Sequence, residues 1–210
     1  MHGMLGKISL SAWQGLRDEL ERRVAGQEGE MWLDALRKVS RKENPWPVAS
    51  AAEKSFPTWK TLSLGCTSAK AYRAMLKAAG MGIGDYASQM LDKIPANSVA
   101  TEVDLVKVTP ADLGLKNGGT YAEICTRAKE SNLDLCPTEV GPKLRLEYKD
   151  QPRNEWIRIA MEPITASDGR LGVFDVGHDD DGPWLCRDCG NSDFFWLADC
   201  RFVFVRRKSA

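Results

Sequence analysis

The side chains in this sequence best suited to chemistry are the cysteines near its C-terminal end. Cys186 and Cys189 have the two-residue spacing with which a pinch of chain presents paired thiolates to zinc, and Cys200 or His178 could supply further ligands. A zinc-stabilised binding module using Cys186, Cys189 and Cys200 is therefore one reading. Structural zinc sites usually pair two such pinches, however, and the second is missing. The pair also lacks the glycine that turns a zinc knuckle. A thioredoxin-like redox role needs the pair to open a helix, whereas Gly190-Asn191-Ser192 follows. Cys66, Cys125 and Cys136 sit in or beside apolar segments, so reduced thiols, with no metal and no cofactor, are the expectation.

Other chemistry finds less support. Gly177-His178-Asp179-Asp180-Asp181-Gly182 is an acidic stretch, but calcium loops spread carboxylates over alternate positions and add a distant Glu, so a hairpin turn is expected. Nucleophilic catalysis would depend on His178, the one histidine away from the terminus, and no partner is marked for it. Glu139, Glu147 and Glu162 could converge as a carboxylate site of an enzyme working between two parts of the chain, a further alternative. Gly118-Gly119-Thr120 could cradle an anion, but a helix cap is the simpler use.

The stretch around the cysteines has a composition of its own. From Leu185 to Phe202 there is no Lys, Glu, Gln or Met, although these types make up 38 of the 210 residues. About three would be expected from composition. Apart from Trp196, every residue in the window can be written by a codon of the form N-N-C, the set reached by randomising both adenines of the Asn codon AAC. Diversity-generating retroelements leave such a scar, because adenines of a template are mutagenised and the copy is written into the 3′ end of a target gene. On this reading the chain is a variable binding protein and not an enzyme. Its variable, ligand-contacting positions would be Cys186, Arg187, Asp188, Cys189, Asn191, Ser192, Asp193, Phe194, Phe195, Leu197, Ala198, Asp199, Cys200 and Arg201, within a frame set by Trp184 and Trp196. Phe194, Phe195 and Leu197 would give apolar contact, and Arg187 and Arg201 charge-assisted bonds. Such positions must lie on a surface loop and contribute little to stability.

The elements that must position this window divide by style. Leu16, Leu20 and Val24 share one helical face after Ser11, which with Gln14 fits a capping box. Met31 to Val39 forms a second apolar stripe, broken at Asn44-Pro45-Trp46-Pro47. A strand is expected at Trp59 to Leu64, and helices at Ala69 to Ala79 and Ile83 to Ile94. Pro95-Ala96-Asn97-Ser98 marks the expected boundary between a mainly helical domain (1–98) and an α+β domain (99–210). In the latter, Thr120 with Glu123 caps a helix. Strands are expected around 103–108, 144–148, 156–161, 173–176, 184–185 and 202–205. The fold class is thus α+β. Formal net charge is zero, which argues against general nucleic-acid binding. No 18-residue apolar run predicts a membrane span, and Met1 to Lys7 lacks a signal core, so a cytoplasmic protein is expected.

Several segments together resemble a family of uncharacterised bacterial proteins that includes targets of diversity-generating retroelements. They are Met31-Trp32-Leu33, Arg41-Lys42-Glu43-Asn44-Pro45-Trp46, Trp59-Lys60-Thr61, Gly82-Ile83-Gly84-Asp85, Leu135-Cys136-Pro137-Thr138-Glu139-Val140-Gly141-Pro142, Leu144-Arg145-Leu146, Ala160-Met161-Glu162-Pro163-Ile164 and Phe202-Val203-Phe204-Val205. The family tail runs from Trp-Leu through an Asn-rich stretch to Phe-Val-Phe-Val. Here Trp184-Leu185 and Phe202 to Val205 match that frame while the Asn-rich stretch is replaced. The resemblance implies a C-type lectin-like C-terminal part and an unknown protein or other macromolecular ligand.

Overall fold

The computed structural model describes residues 10–26, 29–41, 56–65, 67–95 and 100–208, with backbone alone for 10–13. The chain divides into two compact units, 1–53 and 54–210. In the first, the short helices α1 (Leu10–Val24) and α2 (Gly29–Ser40) are in contact with one another. The first starts ahead of Ser11, which therefore lies inside the helix. Exposed ion pairs at helical spacing, Arg23 with Glu19 and Lys38 with Asp34, lie along them. Met31 and Val39 of the expected apolar stripe are exposed, and Ala35 is buried. The proline break at 44–47 lies outside the described residues.

The second unit runs β1 (Lys60–Leu64), α3 (Ala69–Ala78), β2 (Gly82–Ile83), α4 (Asp85–Leu91), β3 (Thr101–Val108), β4 (Gly119–Thr120), α5 (Tyr121–Glu130), β5 (Leu133–Asp134) and α6 (Val140–Glu147). It continues with β6 (Glu155–Ile159), β7 (Ile164–Thr165), β8 (Leu171–Asp179), β9 (Gly182–Cys189), β10 (Phe195–Trp196) and β11 (Arg201–Arg206). Its main sheet has the order β1-β3-β11-β6-β8-β9-β2, with β5 added beside β11 and β7 beside β8. Pairing is antiparallel except between β11 and β6 and between β2 and β9. The α+β class read from the sequence is the class observed.

The division between units falls at 53/54, upstream of the boundary expected at 98/99. Strand β1 pairs with β3 along its whole length, Lys60 opposite Leu105 and Leu64 opposite Thr101, so segments on both sides of Pro95 belong to one sheet. Tyr72, Leu76, Met90 and Leu91 from α3 and α4 are buried in the same core as Val106, Phe174 and Phe204. The proline follows the end of a helix; the sequence break it makes is local.

A second expectation is also replaced. The strand expected at 144–148 is helix α6. Leu144-Arg145-Leu146-Glu147 alternates like a half-exposed strand, but Val140 and Leu144 are both fully buried at helical spacing. Arg145 is buried too, so the alternation does not mark a solvent face. Its guanidinium donates to the carbonyls of Gly177 (2.9 Å) and Tyr148 and to Gln151 Oε1, which replaces the water lost on burial. Gly141 lets α6 lie against the sheet: a Cβ there would stand 2.6 Å from the Phe174 ring.

The acidic stretch is the β8–β9 hairpin turn. Gly182 takes φ +116°, and Asp179 accepts from the Asp181 N–H (3.0 Å) and the Trp184 indole (3.1 Å).

Candidate functional site

The unusual window begins inside the sheet. Cys186 to Cys189 are residues of β9, so this part is strand and not the surface loop expected. Strand geometry sends alternate side chains to opposite faces. Cys186 and Asp188 share a face with Asp175 of β8, while Arg187 and Cys189 share the other with Phe174 and Gly172. A three-residue separation therefore splays the two thiols apart, and the zinc pinch read from their spacing does not form. Among the described residues no group of three or more His, Cys, Asp or Glu side chains is placed to hold a metal. His178 Nδ1 lies 2.7 Å from the carbonyl oxygen of Gln151 and donates to it. Glu139 and Glu147 stand at opposite ends of α6, about 12 Å apart along its axis.

Beyond Cys189 the chain leaves β9 through Gly190, turns at Asn191 to Phe194, forms β10 and turns again before β11. The frame holds this path by its main chain. Gly190 N–H donates to the Leu171 carbonyl (3.0 Å), and the Ala111 N–H donates to the Ala198 carbonyl (3.0 Å). The first turn of α5 contributes most directly: the N–H groups of Tyr121 and Ala122 donate to the carbonyls of Phe194 and Ser192, each at 3.0 Å. A helix start leaves such N–H groups without intrahelical partners. Thr120 and Glu123 close the capping box predicted from their spacing, and β4 pairs Thr120 with Phe195. Gly118 permits the close approach, since a Cβ would stand 2.2 Å from the Trp196 carbonyl oxygen.

Side chains along the path sort by depth. Leu185, Gly190, Trp196 and Phe202 are buried. Cys186, Arg187, Asp188, Cys189, Ala198 and Cys200 are half-buried, and Asn191, Ser192, Asp193, Phe194, Phe195, Leu197, Asp199 and Arg201 are exposed. Phe194, Phe195 and Leu197 are 43%, 55% and 64% exposed, high for such apolar groups. The buried Trp196 ring is the pivot beneath them, meeting Phe194 edge-on at 4.9 Å and Phe202 at 5.4 Å. A cleft of about 390 Å³ is lined by Arg170, Leu171, Arg187, Asp188, Cys189, Asn191 and Phe194. It gathers five of the residues picked out by sequence with two from β8 and the turn before it. The remaining candidates lie outside its lining.

Charges near the cleft are largely matched at home. Arg187 donates to both oxygens of Asp168 (2.9 and 3.0 Å) and lies over the Tyr86 ring at 3.9 Å. That pairing, with Arg170 nearby, holds the Asp168 carboxyl below its ordinary range. Arg158 Nε donates to Asp188 Oδ2 at 3.0 Å, and its guanidinium lies 5.0 Å from the Trp196 ring. Arg201 is 3.7 Å from Glu155. Asp193 and Asp199 form no ion pair among the described residues. Burial, then the carboxylates of Asp175, Asp179 and Asp188, push the Cys186 thiol up to about 11.

Sequence reasoning missed Tyr86, Arg158, Asp168, Arg170, Leu171 and Asp175. Two of these carried a signal: Asp175 interrupts the apolar run Val173-Phe174-Asp175-Val176, and Arg158 stands between Ile157 and Ile159. The others reach the site only through strand register. No family model, no curated protein and no solved structure matches the chain.

Proposed function

We propose that this chain is a variable ligand-binding protein whose C-terminal window is rewritten by a diversity-generating retroelement and recognises a macromolecular partner. The observation that carries this reading is that all fourteen candidate variable positions are half-buried or exposed, while Trp196, the one residue of the window outside the N-N-C set, is buried. Main-chain hydrogen bonds hold the path, and every residue type but proline supplies both groups. A segment anchored in this way accepts new side chains without losing its course.

The chemistry presented suits a protein surface. Phe194, Phe195 and Leu197 give rigid apolar area, Asp193 and Asp199 offer carboxylates that form no ion pair among the described residues, and the adjoining cleft can receive one protruding side chain. The reading includes the C-type lectin-like form implied by the resemblance, and a cytoplasmic location. No helix among the described residues is long and apolar enough to cross a membrane.

The test is genetic. Sequencing around the gene should find a reverse transcriptase gene and a template repeat that differs from the 3′ end of this coding sequence only at adenines. Gene copies from sister isolates should then differ at the assigned positions and keep Gly190 and Trp196. Differences scattered equally over buried and exposed codons would overturn the proposal.

A further inference from the structure

Arg158, Asp175 and Asp188 lie on one face of three neighbouring strands. Arg158 of β6 stands opposite Asp175 of β8, and Asp175 stands opposite Cys186 of β9, with Asp188 two residues further along. The hydrogen bond goes from Arg158 to Asp188, the candidate variable residue, while Asp175 is 4% exposed and its Oδ1 has no hydrogen-bond partner. One cation thus faces two carboxylates. The more deeply buried of them is the less well satisfied.

A buried carboxylate without partners is costly, and core strands normally replace it by an apolar residue. Its position next to Arg158 gives it a use. The Arg158 side chain is only 19% exposed and rests on Trp196, the pivot beneath the exposed aromatic residues. If Asp188 were exchanged for a neutral residue and nothing else were near, a largely buried guanidinium would lose its counter-ion. Guanidinium carries five N–H donors, so a second carboxylate can take over without moving the backbone.

We propose that Asp175 is the reserve counter-ion of Arg158, taking over the guanidinium and keeping it over Trp196 when position 188 carries no carboxylate. Asp175 is then a positioning residue of the recognition surface, and it makes one contact of that surface independent of the varied sequence. This inference rests on the proposed function for its purpose, since only a variable position 188 calls for a substitute.

The experiment is a double-mutant cycle on the full chain, using Asp175→Asn, Asp188→Asn and both together, read by chemical denaturation at neutral pH. Asp188→Asn alone should change the unfolding equilibrium by less than about threefold. Asp175→Asn should be neutral or stabilising while Asp188 is present, and destabilising by about tenfold or more when it is absent. Adding Arg158→Met to the double variant should restore stability, because the stranded cation is removed. Equal effects of Asp175→Asn in both backgrounds would overturn the inference. Should the double variant fail to fold, the Asp175 carboxyl resonance decides by itself: in the Asp188→Asn background its titration midpoint should rise when Arg158→Met is added, and stay unchanged if Arg158 is not its partner. None of these readings depends on a template repeat, so failure of the cycle and failure of the retroelement reading are separate results.

Discussion

Trp196 meets Phe202 edge to face, the ring planes at 90° and the centroids 5.4 Å apart, and this contact joins the middle of the window to its end. Trp196 is also the one residue there outside the N-N-C set. Both rings are buried, whereas Phe195 and Leu197 on either side of Trp196 point outward. Replacing Trp196 by Ala should therefore cost about 3–5 kcal/mol. Phe195→Ala and Leu197→Ala should each cost less than about 1 kcal/mol. Phe194→Ala gives up an edge-to-face pair with Trp196 and should cost about 1 kcal/mol. Denaturant titration of the four variants checks the ordering, and a loss of several kcal/mol at Phe195 would sink the idea of a tolerant surface.

Gly190 belongs with the frame for a steric reason. A Cβ at this position would lie 2.8 Å from Pro163 Cβ and 3.1 Å from the Gly172 carbonyl carbon, so backbone would have to move. Gly190→Ala should destabilise by about 1–3 kcal/mol. Two residues on, Ser192 is exposed and is held through its carbonyl oxygen, which a substitution keeps. Ser192→Ala should stay within about 0.5 kcal/mol, measured in the same way.

The parts of this arrangement that were legible in the sequence are those set by neighbours along the chain. The Thr120–Glu123 box, the Asp179 to Gly182 turn and the Phe202 to Val205 strand are local patterns, and the structure has each of them. The exceptional composition also marked out the segment that is proposed as the recognition surface. What could not be read was register: nothing local says that Arg158 faces Asp175 or that Asp168 reaches Arg187. Cys186-x2-Cys189 misled because its spacing fits a turn, while the residues adopt a strand. Helix α6 misled because a buried Arg145 imitates an exposed one.

Thiol chemistry separates the zinc reading from the strand geometry. With its thiol pushed up to about 11 by burial and neighbouring carboxylates, Cys186 is nearly all protonated at pH 8. Its alkylation by iodoacetamide should be about a hundredfold slower than that of an ordinary thiol. Cys136, whose thiol is pushed up by burial alone and donates to the Val203 carbonyl, should be slower still. Asp188→Asn removes one of the carboxylates acting on Cys186 and should speed its reaction. Peptide mapping by mass spectrometry gives the site-specific rates. Equimolar zinc should leave the melting temperature unchanged; a clear rise would restore the metal reading.

Asp175 also sets a pH dependence. Burial first, and the Asp188 charge after the opposing pull of Arg158, raise its carboxyl from 3.8 to about 7. Between those values the folded chain holds a proton that the unfolded chain has released. Stability from this group is therefore greatest at acid pH, falls as pH rises from about 4 to 7 by up to about 1.4 kcal/mol per pH unit, and then levels off. Lowered carboxylates such as Asp134 and Asp168 act in the opposite sense, losing their contribution as pH falls. The difference between the parent chain and Asp175→Asn isolates the one group, because both share every other carboxylate. That difference should favour Asp175 progressively more as pH drops from 7 to 5 in denaturant titrations at fixed ionic strength. A difference independent of pH in this range would mean that Asp175 is ionised throughout and already paired with Arg158.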